Sequence, residues 1–148
     1  MVGFAQPGYL PGGSLRAWRD YFPNAIVTGM DVQPDTQFVE ERIKTMLCDS
    51  RNSQNVEQAL GDLTFDIIID DGSHNDDSQL YTLLNLYQRV KPGGFYVIED
   101  VGPNASFTKE PKLVEQIVGH NGFFFSGLKG NVCVIPTQPV SNFNRENY

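Results

Sequence analysis

Apolar runs along the chain alternate between two periods. Short runs rich in β-branched residues occur at Val2 to Ala5, Ala25 to Met30, Ile43 to Cys48, Phe65 to Ile69 and Phe95 to Ile98. Continuous apolar runs of that length, bounded by turn residues, read as buried strands. Between them lie stretches with helical spacing. Leu15, Trp18 and Phe22 share one face of a helix opened by Ser14 and ended by Pro23-Asn24. A second helix is expected from Asn52 or Ser53 to Leu60, with Val56, Ala59 and Leu60 inward and Gly61 closing it. A third carries Leu80, Leu83, Leu84, Tyr87 and Val90 inward, with Asp76 and Asp77 at its start and Arg89 and Lys91 at its end, as the helix dipole favours. Pro92-Gly93-Gly94 is expected to stop it, and the segment TQFVEER to form one or two helical turns. A helix over about Pro111 to Val118 and a hairpin-like pair, Phe123 to Phe125 with Val132 to Ile135, complete the pattern, leaving a polar, frayed tail.

Strands alternating with helices predict an α/β fold: a Rossmann-like, doubly wound, mostly parallel sheet with an antiparallel C-terminal strand. The 148 residues and 40% hydrophobic content suit a single domain over residues 1–148, with 136–148 as the tail. The net charge of −7 argues against a nucleic-acid partner, whose phosphates demand Lys and Arg. Cys48 and Cys133 both sit in apolar segments and read as buried thiols of a reducing, cytoplasmic compartment. The N-terminus has no basic residue before Arg16 and no long apolar core, so no signal peptide is expected, and no apolar run approaches a membrane span.

Four of the runs end in acids: Asp31, Asp49, Asp70-Asp71 and Glu99-Asp100. A single acid there would be an ordinary helix cap; the set places carboxylates along one sheet rim, where open α/β sheets bind ligands. If the fourth and fifth strands are neighbours, Asp71, Glu99 and Asp100 converge, and three such carboxylates repel unless a cation or protons intervene. Oxygen ligands select Mg²⁺ or Ca²⁺ over zinc. His74, three residues past Asp71, can take a proton from a hydroxyl, with a fourth metal ligand as its alternative role. Asp70 reads as loop or helix-cap structure, and His120 as a cap. Gly8, Gly12 and Gly13 follow the first run in a G-x-x-x-G-G loop, which allows close backbone approach to a ligand but is not the G-x-G-x-x-G dinucleotide fingerprint. That absence weighs against a nicotinamide or nucleotide-sugar enzyme. The glycine loop with Asp31 for ribose and Asp49 near the base sketches a nucleoside site.

The pieces GGSLRAWRDYFPNA, GMDVQP, CDSRN, FDIIIDDGSH and RVKPGGFYVIEDV, spread from about Gly8 to Val101, resemble class I S-adenosylmethionine-dependent methyltransferases. Within them the chain is most similar to the metal-dependent sugar O-methyltransferases of macrolide biosynthesis. DDGSH with KPGGxYVIED is specific for that branch, whereas KPGG alone marks the superfamily. The Asp71-to-Glu99 spacing also matches metal-dependent methyltransferases acting on catechols. The resemblance implies that Gly8, Gly12, Gly13 and Ser14 line the methionine part of S-adenosylmethionine, that Asp31 holds the ribose and that Asp49 and Ser50 flank adenine. It implies that Asp71, Glu99 and Asp100 bind Mg²⁺ and that His74 is the general base. The expected reaction is methylation of a hydroxyl on a sugar or another small polyhydroxylated molecule, with no nucleic-acid or membrane partner and with a homo-oligomer compatible. Gln6-Pro7-Gly8 stands where the family has E-I-G, and the region that family members carry before the first strand is missing. The alternative reading is therefore a truncated or impaired cofactor-binding relative without turnover.

Overall fold

A computed structural model describes residues 10–102, 112–119, 122–126 and 130–137. The expected first strand, Val2 to Ala5, with Gln6, Pro7 and Gly8, lies outside the described residues, as do His120 and the tail beyond Thr137. The chain divides into two compact units, Met1–Gly61 and Asp62–Tyr148.

In the first unit, helix α1 (Gly13–Tyr21) precedes strand β1 (Val27–Asp31), followed by β2 (Val39–Glu40), β3 (Ile43–Leu47) and helix α2 (Ser53–Leu60). The strands form a sheet of order β1-β3-β2, with β1 and β3 parallel and β2 antiparallel to β3. The segment expected to be helical is instead a 3-10 turn at Pro34–Thr36 leading into β2. Pairing to β3 outweighs the weak helical preference there, and Glu40 on β2 is gripped by Arg16 and Arg19 of α1, at 2.6 and 3.1 Å. The cap of α1 is also corrected: Gly12, in left-handed conformation, is the N-cap, and Ser14 is already inside the helix. Helix α2 starts as expected, with the Asn52 side chain accepting from the N–H groups of Gln54 and Asn55.

In the second unit, β4 (Phe65–Asp70) leads to helix α3 (Asp76–Leu86), then β5 (Val90–Val101), helix α4 (Lys112–Val118), β6 (Phe123–Ser126) and β7 (Asn131–Pro136). The sheet order is β4-β5-β7-β6; β4 and β5 are parallel, and the remaining pairs antiparallel. The parallel pairing among the described residues is thus confined to β1–β3 and β4–β5. Tyr96, Ile98, Cys133 and Ile135 of β5 and β7, Leu83 of α3 and Val114 of α4 are fully buried. Burial of each such side chain contributes roughly 1.5–3 kcal/mol.

Two expectations fail here for one reason. Helix α3 ends at Leu86, a 3-10 turn covers Tyr87–Arg89, and Val90 already belongs to β5. Lys91 and the Pro92-Gly93-Gly94 run lie within the irregular start of β5, where Phe65 pairs with Val90 but Ile67 pairs with Phe95. An apolar Val90 satisfies either period, and the pairing with Phe65 decides. Gly94 is needed there, because a Cβ would strike the Asp66 carbonyl oxygen. The buried stripe of α3 is also rotated from the expected one. Gln79, Thr82, Leu83 and Leu86 face inward, while Leu84 is 49% exposed. At the end of β7, Thr137 donates its N–H to the Gly94 carbonyl and its hydroxyl to that of Lys91.

Candidate active site

The second unit brings two strand ends together. β4 and β5 run in register from Ile67–Phe95 to Asp70–Ile98, so the residues following each lie side by side. Asp70 closes β4 as a buried residue, accepting from the Gly72 N–H at 3.2 Å and the Tyr96 hydroxyl at 3.5 Å. These bonds make it a fixture of the sheet; the cap of α3 is Asn75, whose side chain accepts from the Asp77 N–H. Burial pushes the Asp70 carboxyl up to about 6, with the Asp71 charge adding to the rise and the Gly72, Tyr96 and His74 contacts opposing it. The Tyr96 phenol is driven well above its ordinary value, by burial first and then by the adjacent Asp70.

One residue on, Asp71 turns outward and its Oδ1 lies 3.0 Å from His74 Nε2. His74 Nδ1 lies 3.6 Å from Asp100 Oδ2. Each of Asp71, His74 and Asp100 offers a donor atom within 4.8 Å of the others. His74 and Asp100 both hold left-handed backbone conformations, φ 52° and 49°. Such values are uncommon for non-glycine residues, although Asp and His adopt them more readily than most.

The conformation of Asp100 has a visible origin. Ile98 pairs with Cys133 and Val101 with Asn131, so β5 carries one residue more than β7 between these pairs. The bulge lets β5 re-aim its side chains. The Asn131 side-chain amide fastens the far side by donating to the Val101 carbonyl. Gly130 leaves room for the Asp100 carboxylate, since a Cβ there would come within 2.5 Å of Asp100 Oδ1.

Glu99, the other expected metal ligand, is half-buried beside the trio and outside the set of mutually close donors. Burial, then the charges of Asp71 and Asp100, raise its carboxyl above the ordinary value, with His74 opposing. The site therefore carries concentrated negative potential, which a divalent cation relieves. Two carboxylates with a third beside them fit a hard cation such as Mg²⁺, and the imidazole is a nitrogen donor that a softer ion would also accept. Sequence reasoning missed Gln79, a buried amide of α3 whose Nε2 donates to the Glu99 carbonyl at 3.0 Å. The available signal was its place four residues before Leu83 and seven before Leu86, on the apolar stripe.

In the first unit, the β1 and β3 ends are joined by the Cys48 N–H donating to the Asp31 carbonyl. The Asp31 carboxylate accepts from the Gln33 N–H. A cleft of about 530 Å³ opens beside β3, lined by Val32, Leu47, Asp49, Arg51, Asn55 and Ala59 among others. Its lining is mixed, with Val32, Leu47 and Ala59 beside the polar Asp49, Arg51, Asn55 and Gln58. The Asp49 carboxylate in it is held by Arg51, whose Nε and Nη2 each donate at 2.9 Å, and this hydrogen bonding keeps its pKa below the ordinary value. Ser50 follows at the turn after β3, and Gly12, Gly13 and Ser14 sit at the start of α1. Gly12 lies against the Phe38 ring. Of the expected cofactor residues, Gly8 is outside the described residues.

No protein-family model matches the chain. Curated relatives do. Demethylmacrocin O-methyltransferase of Streptomyces fradiae is 38% identical over 104 residues, 67% of this chain and 25% of that protein. Mycinamicin VI 2''-O-methyltransferase of Micromonospora griseorubida is 36% identical over 100 residues, again 67% of this chain and 25% of that protein. The chain thus spans about a quarter of the length of these curated relatives. Among solved structures, the MycE methyltransferase of the mycinamycin biosynthetic pathway, in complex with Mg, SAH and mycinamycin VI, superposes with a TM-score of 0.71. The likeness covers 97% of this chain and 45% of MycE, at 25% identity. In sequence and in fold, the chain is similar to the macrocin and mycinamicin sugar O-methyltransferases.

Proposed function

We propose that this chain carries the catalytic core of a Mg²⁺-dependent O-methyltransferase acting on a hydroxyl of a sugar or a similar polyhydroxylated small molecule. The observation that carries the reading is the convergence of Asp71, His74 and Asp100 at the ends of β4 and β5. S-adenosylmethionine would supply the electrophilic methyl group, and Mg²⁺ the charge that lowers the pKa of the acceptor hydroxyl. Asp71 and Asp100 are the residues that hold the cation, with Glu99 adding negative potential beside them. His74 takes the hydroxyl proton on a ring nitrogen. Asp31, Asp49 and Ser50, with Gly8, Gly12, Gly13 and Ser14, are the residues we assign to the cofactor. Their work is alignment: two reactants held in line need no further covalent chemistry from the protein.

The position of His74 also favours a second reading of that residue. Its Nδ1 and Nε2 lie 3.6 and 3.0 Å from the Asp100 and Asp71 carboxylates, so either nitrogen could turn to an ion that these two hold while the other keeps a carboxylate partner. Metal binding by His74→Ala separates the two, since a base is dispensable for the ion and a ligand is not. Among the described residues no helix is long and apolar enough to cross a membrane. Cys48 and Cys133 are buried free thiols, which suits the cytoplasmic location we assign.

The test of the function is calorimetry of S-adenosylhomocysteine with the full chain, with and without Mg²⁺, followed by methyl transfer to sugar-bearing acceptors. We expect binding in both cases and transfer only with Mg²⁺. Absence of cofactor binding at high protein concentration would overturn the reading. Binding without transfer to any such acceptor would favour a cofactor-binding relative that lacks turnover.

A further inference from the structure

Gln79 is one of three buried polar side chains among the described residues, with Asp70 and Thr82, and it is 2% exposed. Its amide is half used. Nε2 donates to the Glu99 carbonyl at 3.0 Å, while Oε1 is buried without a hydrogen-bond partner. A buried, unpaired acceptor is a cost that a methionine or leucine at this position on an apolar stripe would avoid. What the amide adds is therefore its one donated bond.

That bond falls on a sensitive peptide group. The Glu99 carbonyl belongs to the same plane as the Asp100 N–H, so its direction is tied to φ of Asp100. Asp100 lies in the bulge with φ 49°, a left-handed value that aspartate adopts more readily than most residues, so a modest hold on the preceding peptide is enough to select it. A relaxed peptide there would return Asp100 to ordinary φ and swing its carboxylate away from His74 Nδ1, now 3.6 Å distant.

We propose that Gln79 is a positioning residue of the cation centre, gripping the Glu99–Asp100 peptide so that the Asp100 carboxylate faces Asp71 and His74. The proposal rests on the cation reading of that trio. Its effect is on ligand geometry, carried from α3 to β5 without contact with the ion.

Mn²⁺ binding to the full chain, read from the free-ion signal in electron paramagnetic resonance, tests it against urea stability. Gln79→Met should weaken Mn²⁺ about tenfold or more while stability stays level or rises. Gln79→Leu provides the same deletion of the donor with a different shape, should the first variant not fold. Leu83→Ala, one turn along the same helix, should lose stability and keep its Mn²⁺ affinity. A Gln79 variant that is folded and binds Mn²⁺ within twofold of the parent overturns the proposal. Equal weakening in Leu83→Ala overturns it too, because loosening of α3 would then suffice. Failure of the cation reading looks different: the parent would bind no Mn²⁺, or Asp71→Ala would bind it as the parent does.

Discussion

Replacing Asp70 by asparagine should stabilise this protein at neutral pH and do nothing for it in acid. Asp70 is 8% exposed, and its two hydrogen bonds, from the Gly72 N–H and the Tyr96 hydroxyl, are long. They do not offset the loss of water around the charge, so the carboxyl rises from 3.8 to about 6. An acid whose folded pKa lies above its unfolded value contributes stability that is complete below the unfolded pKa. That stability is lost as pH climbs through the folded one. The shift is about two pK units, which at 1.36 kcal/mol each comes to about 3 kcal/mol of penalty above pH ~6. Asparagine has the same shape and no charge to desolvate. Its Oδ1 can accept from Gly72, and its Nδ2 can donate to the Tyr96 oxygen. Urea unfolding followed by far-ultraviolet circular dichroism, in EDTA to keep divalent cations off Asp71 and Asp100, gives the comparison. At about pH 7.5, Asp70→Asn should exceed the parent by roughly 2–3 kcal/mol, and the difference should shrink towards zero near pH 4. A difference that stays constant between those pH values, or a variant less stable at neutral pH, would refute the argument. Either result would mean that the two bonds, not burial, govern Asp70.

Gly130→Ala should leave urea stability nearly unchanged, because the atom it meets is the tip of the Asp100 side chain. It should displace that carboxylate and weaken Mn²⁺ binding about tenfold, equivalent to about 1.4 kcal/mol; unchanged affinity would show that Asp100 is not a ligand. Gly94→Ala meets backbone instead, the Asp66 carbonyl, and should cost about 1–3 kcal/mol in the same urea experiment. Asn52→Ala removes the acceptor for the Gln54 and Asn55 N–H groups and should cost about 1 kcal/mol, read as a lower urea midpoint at unchanged slope.

What the sequence determined by itself is what local chemistry determines. The strand at Phe65 to Ile69, the cap at Asn52 and the stop at Gly61 are each written in neighbouring residues and stand in the structure, although that strand is not buried on both faces as expected, with Ile67 43% exposed. That acids follow the apolar runs was legible too, but which of them reach the rim was not: Asp70 ends β4 buried, and Asp71 is the one that faces His74. Long-range pairing decided the rest. Val39-Glu40 is a strand because β3 and the arginines of α1 take it, and Val90 leaves the helix because Phe65 is waiting for it. Gln79 faces inward although its neighbour Leu80 is the more apolar, because the stripe of α3 is set by what it packs on. The cluster at the ends of β4 and β5 shows the division most clearly. Asp71, His74, Glu99 and Asp100 could be named from the sequence. Asp71 and His74 meet within one loop, and Asp100 joins them where β5 carries one extra residue between Ile98 and Val101. A bulge is a mismatch between two strands, and no single stretch of sequence contains a mismatch.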